Sequence, residues 1–225
     1  SLLDSIRQTA IASKEAGGIT QAIGTTEIPV ASVENACKNL PERFNLKISV
    51  PGLLFIDTPG HEAFTTLRKR GGSIADLAIL VVDINEGLMP QTEESIQILK
   101  DTKTPFVVAF NKIDRISGWS SEDNCFLKNY PKQTDGVKGD FERRFYQVVE
   151  QISRFGYSAD RFDRVTDFKT TVAVVPISSK TGEGVAELLA MLVGLAQAFL
   201  KDSLLKSNES AGMVLEVKDV IGLGT

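Results

Sequence analysis

The sequence predicts an α/β fold: a mostly parallel sheet with helices on both faces. Three near-continuous apolar runs are the first reason, Leu77–Val82, Pro105–Phe110 and Val172–Ile177. A strand covered on both faces has no polar side to show, so it loses the alternation of a half-exposed strand. The second reason is that segments of helical period separate these runs, and strands alternating with helices favour parallel pairing. The third is size: 225 residues at 42% hydrophobic content fill one sizeable core and leave room for a small appendage.

The elements follow in order. Lys47–Val50 and Leu53–Ile56 flank Pro51 and Gly52, a turn signal, which predicts a hairpin. The run Leu77–Val82 is the next strand, Gln91–Asp101 reads as a helix, and Pro105–Phe110 is a strand again. Asp140–Phe155 sets Phe141, Phe145, Val148, Val149 and Ile152 on one helical face. After the strand Val172–Ile177, Gly184–Leu200 supplies a last helix, apolar enough to be buried but shorter than the roughly 20 residues of a bilayer span.

Between Asp114 and Ser178 the chain is several times longer than the dozen or so residues a helical crossover needs. Two surface insertions are expected there, about 115–139, carrying the polar stretch Ser117–Lys138, and 157–169, spotted with aromatic residues. Either could offer a partner surface. Beyond Leu200 a polar linker, Lys201–Gly212, leads to Met213–Val220, which reads as the opening strand of a second domain. The expected division is residues 1–207 and 208–225. No internal repeat or low-complexity tract is visible.

A net charge of −4, from 25 basic and 29 acidic residues, argues against a chain held to nucleic acid by bulk charge, although a local basic patch fits it. Cys37 and Cys125 match no metal-ligand spacing and read as two reduced thiols. With no signal peptide and no membrane span, the expectation is a soluble, cytoplasmic protein.

The most informative residues are Asn111, Lys112, Ile113 and Asp114, at the end of a predicted buried strand. An ionised carboxylate only accepts hydrogen bonds, so Asp114 suits a base edge with two donors. Guanine's N1–H and N2–H form such a pair, and adenine's corresponding edge does not. Asn111 can brace neighbouring loops, while the Lys112 stem can lie across a ring face with its ammonium in water. Ser178, Ser179 and Lys180 close the last strand, and Thr181–Gly184 forms a turn after them. Backbone N–H groups there can face a purine oxygen, and Lys180 can cover the base from its other side.

A phosphate-side set lies upstream. Asp57, followed by Thr58, Pro59 and Gly60, ends a predicted strand. A carboxylate at that position suits a magnesium ion, directly or through water, and Gly60 lets its N–H approach a terminal phosphate. Standing alone, the same residues would read as a capping Asp before a turn. Ala16–Thr20 is polar and glycine-rich, and a Thr20 hydroxyl there can complete a metal's coordination while a γ-phosphate is present. Alone, its Gly17-Gly18 pair would mean only a loop. The order of the motifs along the chain, with ligands expected at strand carboxyl ends, joins them into one signal.

Together these residues resemble the GTP-binding domain of the translational GTPases. His61 directly after Gly60, Val81–Asp83, Glu86-Gly87 and Met89–Thr92 are similar to that class. Within it, Leu2–Arg7, Ala16–Gly24, Pro51–Phe64 and Leu67–Gly72 resemble the initiation-factor branch, and Arg161–Asp167 with the long insertion resembles its archaeal form. The resemblance implies a P-loop GTPase-type sheet and, from Met213 on, the start of a β-barrel domain. It implies GTP or GDP with Mg2+, held by Asp57, Gly60, Asn111, Lys112, Asp114, Ser178, Ser179 and Lys180. Thr20 and Asp57 would serve the metal, and His61 would orient the attacking water.

For the parent protein the resemblance implies a monomer that joins ribosomal subunits at the cost of GTP. Its partners would be both subunits, large-subunit rRNA at the GTPase-activating site, and initiator tRNA through further domains, with no membrane. Arg68, Lys69 and Arg70 are either an rRNA contact or a solvated helix face. One departure matters: the family's phosphate-binding loop, ending Gly-Lys-Thr or Gly-Lys-Ser, would fall just before Ser1, together with a strand from mid-sheet. The chain by itself is therefore expected to bind nucleotide poorly. An elongation-factor-type GTPase and a non-enzymatic ribosome-binding fragment stand as the alternatives.

Overall fold

A computed structural model describes residues 2–7, 24–41, 48–57 and 75–200. In chain order its elements are α1 (Leu2–Arg7), β1 (Gly24–Pro29), α2 (Val30–Cys37), β2 (Gly52–Asp57) and β3 (Ala78–Asp83). Then come α3 (Pro90–Thr102), β4 (Phe106–Asn111), α4 (Phe126–Asn129), α5 (Asp135–Ser153), β5 (Ser158–Arg161), β6 (Thr171–Pro176) and α6 (Val185–Phe199). Thr20, Gly60, His61, Arg68–Arg70 and everything after Leu200, including the expected β-barrel strand, lie outside the described residues.

The main sheet has four strands in the order β3-β4-β6-β5, all parallel. All six residues of β4 are buried. Successive strand side chains point to opposite faces, so this strand is covered on both. On one face Phe110 meets Phe141 and Phe145 edge-on, with centroids 6.1 and 5.9 Å away. Those two belong to α5, whose buried residues Val137, Phe141, Phe145, Val148 and Ile152 recur at helical spacing. The helix begins at Asp135, five residues before its apolar face suggested, because Thr134 Oγ1 accepts from Val137 N–H and caps a polar first turn. α6 is buried nearly all round, as its sequence predicted. No helix among the described residues is long and apolar enough to cross a membrane.

A second, two-stranded sheet pairs β1 with β2 antiparallel, from Gly24 opposite Asp57 to Pro29 opposite Gly52. The hairpin expected around Pro51-Gly52 is therefore not formed: Ile48–Val50 is not a strand, and β2 takes its partner from a segment more than twenty residues upstream. Gly52 permits this pairing, since a Cβ there would stand 2.7 Å from Ile28 O. α2 packs on both strands and on α6.

Both segments expected as surface insertions carry buried residues. In the first, Cys125, Phe126, Asn129 and Gln133 are buried, and Trp119 stacks on Phe126 with rings 8° from parallel. In the second, Ser158–Arg161 is the edge strand β5. Its Arg161 is buried, lies over the Tyr130 ring at 4.4 Å, and is paired with Asp163 and Glu142. A planar guanidinium can stack and bond at once, which lets a charged side chain enter an aromatic cluster. Both cysteines are free thiols; burial, then the charge of Glu187, pushes Cys37 up to about 11, and burial, then a hydrogen bond with Glu187, pushes Cys125 to about 12.

Candidate functional site

Parallel pairing brings the ends of three strands to one edge. Asp83, the last residue of β3, stands opposite Asn111, the last of β4, and Phe110 stands opposite Pro176, the last of β6. Past that edge β4 turns sharply: Lys112 adopts a left-handed φ of 68° and leads into a single 3-10 turn, Ile113–Arg115. Ile113 N–H donates to Ile177 O, so the turn is tied back to the chain leaving β6. Asp114 is thereby held half-buried above the sheet edge.

Side chains complete the junction. Asn111 Oδ1 accepts from the N–H and the hydroxyl of Ser179, at 3.0 and 3.1 Å. The Ser178 hydroxyl donates to Asp114 Oδ1 at 2.6 Å, and its oxygen accepts from the N–H groups of Lys180 and Thr181. The turn N–H groups at 179–181 are thus engaged within the loops rather than turned outward. The turn closes on itself through Ser178 N–H to Glu183 O at 2.8 Å. Gly184 ends it at φ 77°, where a Cβ would lie 2.1 Å from Pro176 O. No other residue fits there without moving the backbone.

The Lys112 side chain, expected to keep its ammonium in water, is 41% exposed and also makes an ion pair. Its Nζ pairs with Asp83 Oδ2 at 2.5 Å, because the register of β3 and β4 sets the two strand ends side by side. Burial alone would push the Asp83 carboxyl up, but hydrogen bonds from Lys112 and Asn85, with the Lys112 charge, hold it below the ordinary carboxylate value. Lys180 is exposed.

The predicted residues Asn111, Lys112, Asp114, Ser178, Ser179 and Lys180 therefore form one cluster. Asp57 closes β2 in the other sheet and is half-buried. Thr20, Gly60 and His61 fall outside the described residues. No group of three or more His, Cys, Asp or Glu among the described residues is placed to hold a metal. A cavity of about 330 Å³ opens elsewhere, at the amino ends of β4 and β6, between Phe106, Tyr157, Phe168 and Phe199.

A family model described as the elongation factor Tu GTP binding domain matches residues 6–198. The chain belongs to that family. As a member of it, the chain is 56% identical over 226 residues to the probable translation initiation factor IF-2 of Archaeoglobus fulgidus, covering 99% of this chain and 38% of that protein. It is 55% identical over 226 residues to the probable translation initiation factor IF-2 of Methanopyrus kandleri, with the same coverage. Among solved structures, that of GDP-bound aIF5B from Aeropyrum pernix matches with a TM-score of 0.88 at 49% identity, over 99% of this chain and 38% of that one. The chain thus spans well under half the length of these relatives.

Two residues that support this cluster were given no role of their own by sequence reasoning. Asp83 carried a weak signal, a carboxylate at the end of an apolar run. Glu183 carried none: it sits between Gly182 and Gly184, yet its side chain is wholly buried beneath the turn.

Proposed function

We propose that this chain is the guanine-nucleotide-binding domain of an archaeal-type translation initiation factor, which hydrolyses GTP on the ribosome as the subunits join. One observation carries the reading: Asp114, Asn111 and the Ser178–Lys180 turn are locked together at a single strand edge. Asp114 accepts from guanine N1–H and N2–H, and Ser178 steadies its carboxylate. The Lys112 stem, fixed at its tip by Asp83, covers one ring face. Lys180 covers the other.

The donor set on the phosphate side suits a hard cation. Carboxylate and hydroxyl oxygens are the ligands magnesium takes, and Asp57 and Thr20 are of that kind. A bound Mg2+ neutralises charge on the β- and γ-phosphates. Gly60 N–H holds the γ-phosphate, and His61 orients water once the ribosome, through large-subunit rRNA, has pressed it inward. Initiator tRNA is engaged by other parts of the full-length factor, which works as a cytoplasmic monomer. The family's phosphate-binding loop supplies the remaining phosphate contacts.

Calorimetric titration of GDP into the full-length factor tests the base site. Asp114→Asn should weaken binding by about 2–4 kcal/mol, because two charge-assisted bonds are lost and guanine's donors meet an amide. Unchanged GDP affinity would refute the reading.

A further inference from the structure

Beneath the Ser178–Gly184 turn lies a buried carboxylate with no part in the roles above. Glu183 is fully buried. Its Oε2 accepts from the Trp119 indole N–H at 3.1 Å and from the Ser121 hydroxyl at 2.5 Å, and its Oε1 has no hydrogen-bond partner. Burial pushes this carboxyl up, neighbouring side-chain donors, Ser121 first, offset only part of the rise, and the charge of Asp114 adds to it. Placing an acid here is costly, and what it gains is a connection.

That connection runs from the core to the base site. Trp119 is seated in the aromatic cluster, 5.7 Å from Phe141, which in turn meets Phe110 of β4. The Glu183 main chain closes the turn through Ser178 N–H, and Gly184 N–H donates to Asn124 O, a second tie to the same 116–134 segment. Ser178 then orients Asp114. A chain of packed rings and directed hydrogen bonds therefore links the long connection after β4 to the carboxylate that faces the base.

We infer that Glu183 is a positioning residue for guanine selectivity: with Trp119 and Ser121 it clamps the 116–134 segment onto the Ser178 turn and so fixes the plane of the Asp114 carboxylate. The inference rests on the base-reading role proposed above. Two bonds to guanine demand a fixed carboxylate plane, whereas hypoxanthine, which lacks the 2-amino group, offers only N1–H and tolerates a tilted one. Loosening the clamp should therefore weaken GDP more than IDP.

The test is titration of GDP and IDP into the full-length factor and its variants, with folding checked by circular dichroism. E183A should lower GDP affinity about tenfold and narrow the preference for GDP over IDP. W119F keeps an aromatic ring but removes the indole N–H, and should narrow the preference in the same direction. E183Q retains an acceptor for Trp119 and Ser121, and should restore most of the preference. An unaltered GDP-to-IDP ratio in W119F and in folded E183A would overturn the inference; should E183A not fold, the ratio in W119F and S121A decides. Asp114→Asn separates the two levels. A collapsed ratio there, with the clamp variants unchanged, removes only the clamp, while an unchanged ratio there removes the base-reading role and the clamp with it.

Discussion

Ser178 and Asp114 stand 64 residues apart in the chain, and the serine hydroxyl donates to the carboxylate at 2.6 Å. The bond joins the loop after β4 to the loop after β6. It also fixes one oxygen of an acceptor that would otherwise rotate about its own side chain. In Ser178→Ala the carboxylate and its charge remain, but its orientation is no longer set. GDP affinity of the full-length factor should fall by about 1–2 kcal/mol, the worth of one hydrogen bond to a charged group. Calorimetry checks it, and affinity equal to that of the parent would detach Ser178 from the base site.

The Asp83–Lys112 pair makes a prediction about pH. Asp83 is held below its ordinary value of 3.8 in the folded chain. A depressed carboxylate favours the folded state wherever the unfolded chain has also lost its proton, and the advantage disappears as pH falls through the folded value. The Lys112 side chain is 41% exposed, so solvent screens the pair. Asp83→Asn should cost about 1 kcal/mol of stability at pH 7 and progressively less below about pH 4. Urea unfolding at pH 7 and pH 3 decides, and a cost that is the same at both would show that the charge is not the operative feature.

Glu187 should behave in the opposite sense. It is fully buried on α6, its Oε2 has no partner, and burial pushes its carboxyl up despite hydrogen bonds from Cys125 and from backbone N–H groups near Leu127. An acid whose folded value is raised keeps its proton longer in the folded chain. Stability is then greatest in acid and falls as pH rises from the unfolded value toward the folded one. Glu187→Gln removes the titration while keeping an acceptor for Leu127 N–H. The variant should gain on the order of 1 kcal/mol relative to the parent at pH 8, and lose that gain near pH 4. A variant less stable at pH 8 than the parent would mean that the ionised form is favoured where it stands.

What the sequence revealed and what it hid divide along physical lines. β4 was legible because it is buried on both faces, which leaves an unbroken apolar run from Phe106 to Phe110. β5 was not: Ser158–Arg161 has no strand pattern of its own and is a strand only because β6 offers it a partner. β1 was hidden for the same reason, since Gly24–Pro29 acquires its pairing from β2. The stretch 117–138 read as polar surface, and its buried side came into view only where Phe126 meets both Trp119 and Phe141. At the candidate site the Asn111–Asp114 run was visible because its chemistry is local. The supporting roles of Asp83 under Lys112 and of Glu183 under Ser178 were not legible, because each depends on residues brought near only by the fold.

His61 carries the prediction closest to the chemistry. It follows Gly60 and lies four positions past Asp57, the carboxylate that closes β2. Phosphoryl transfer asks little covalent chemistry of a protein and depends on positioning and charge, so a side chain that orients water matters in the transition state and not in nucleotide binding. His61→Ala in the full-length factor should therefore leave GDP and GTP affinity intact while lowering ribosome-stimulated hydrolysis by roughly 10²-fold or more. The measurement is phosphate release with and without ribosomes, paired with calorimetry. Stimulated turnover near that of the parent would remove His61 from the mechanism. The absence of any stimulation in the parent itself would favour a ribosome-binding module without catalysis. Hydrolysis without ribosomes should be slow in both proteins, since the proposed role of His61 begins only on the ribosome.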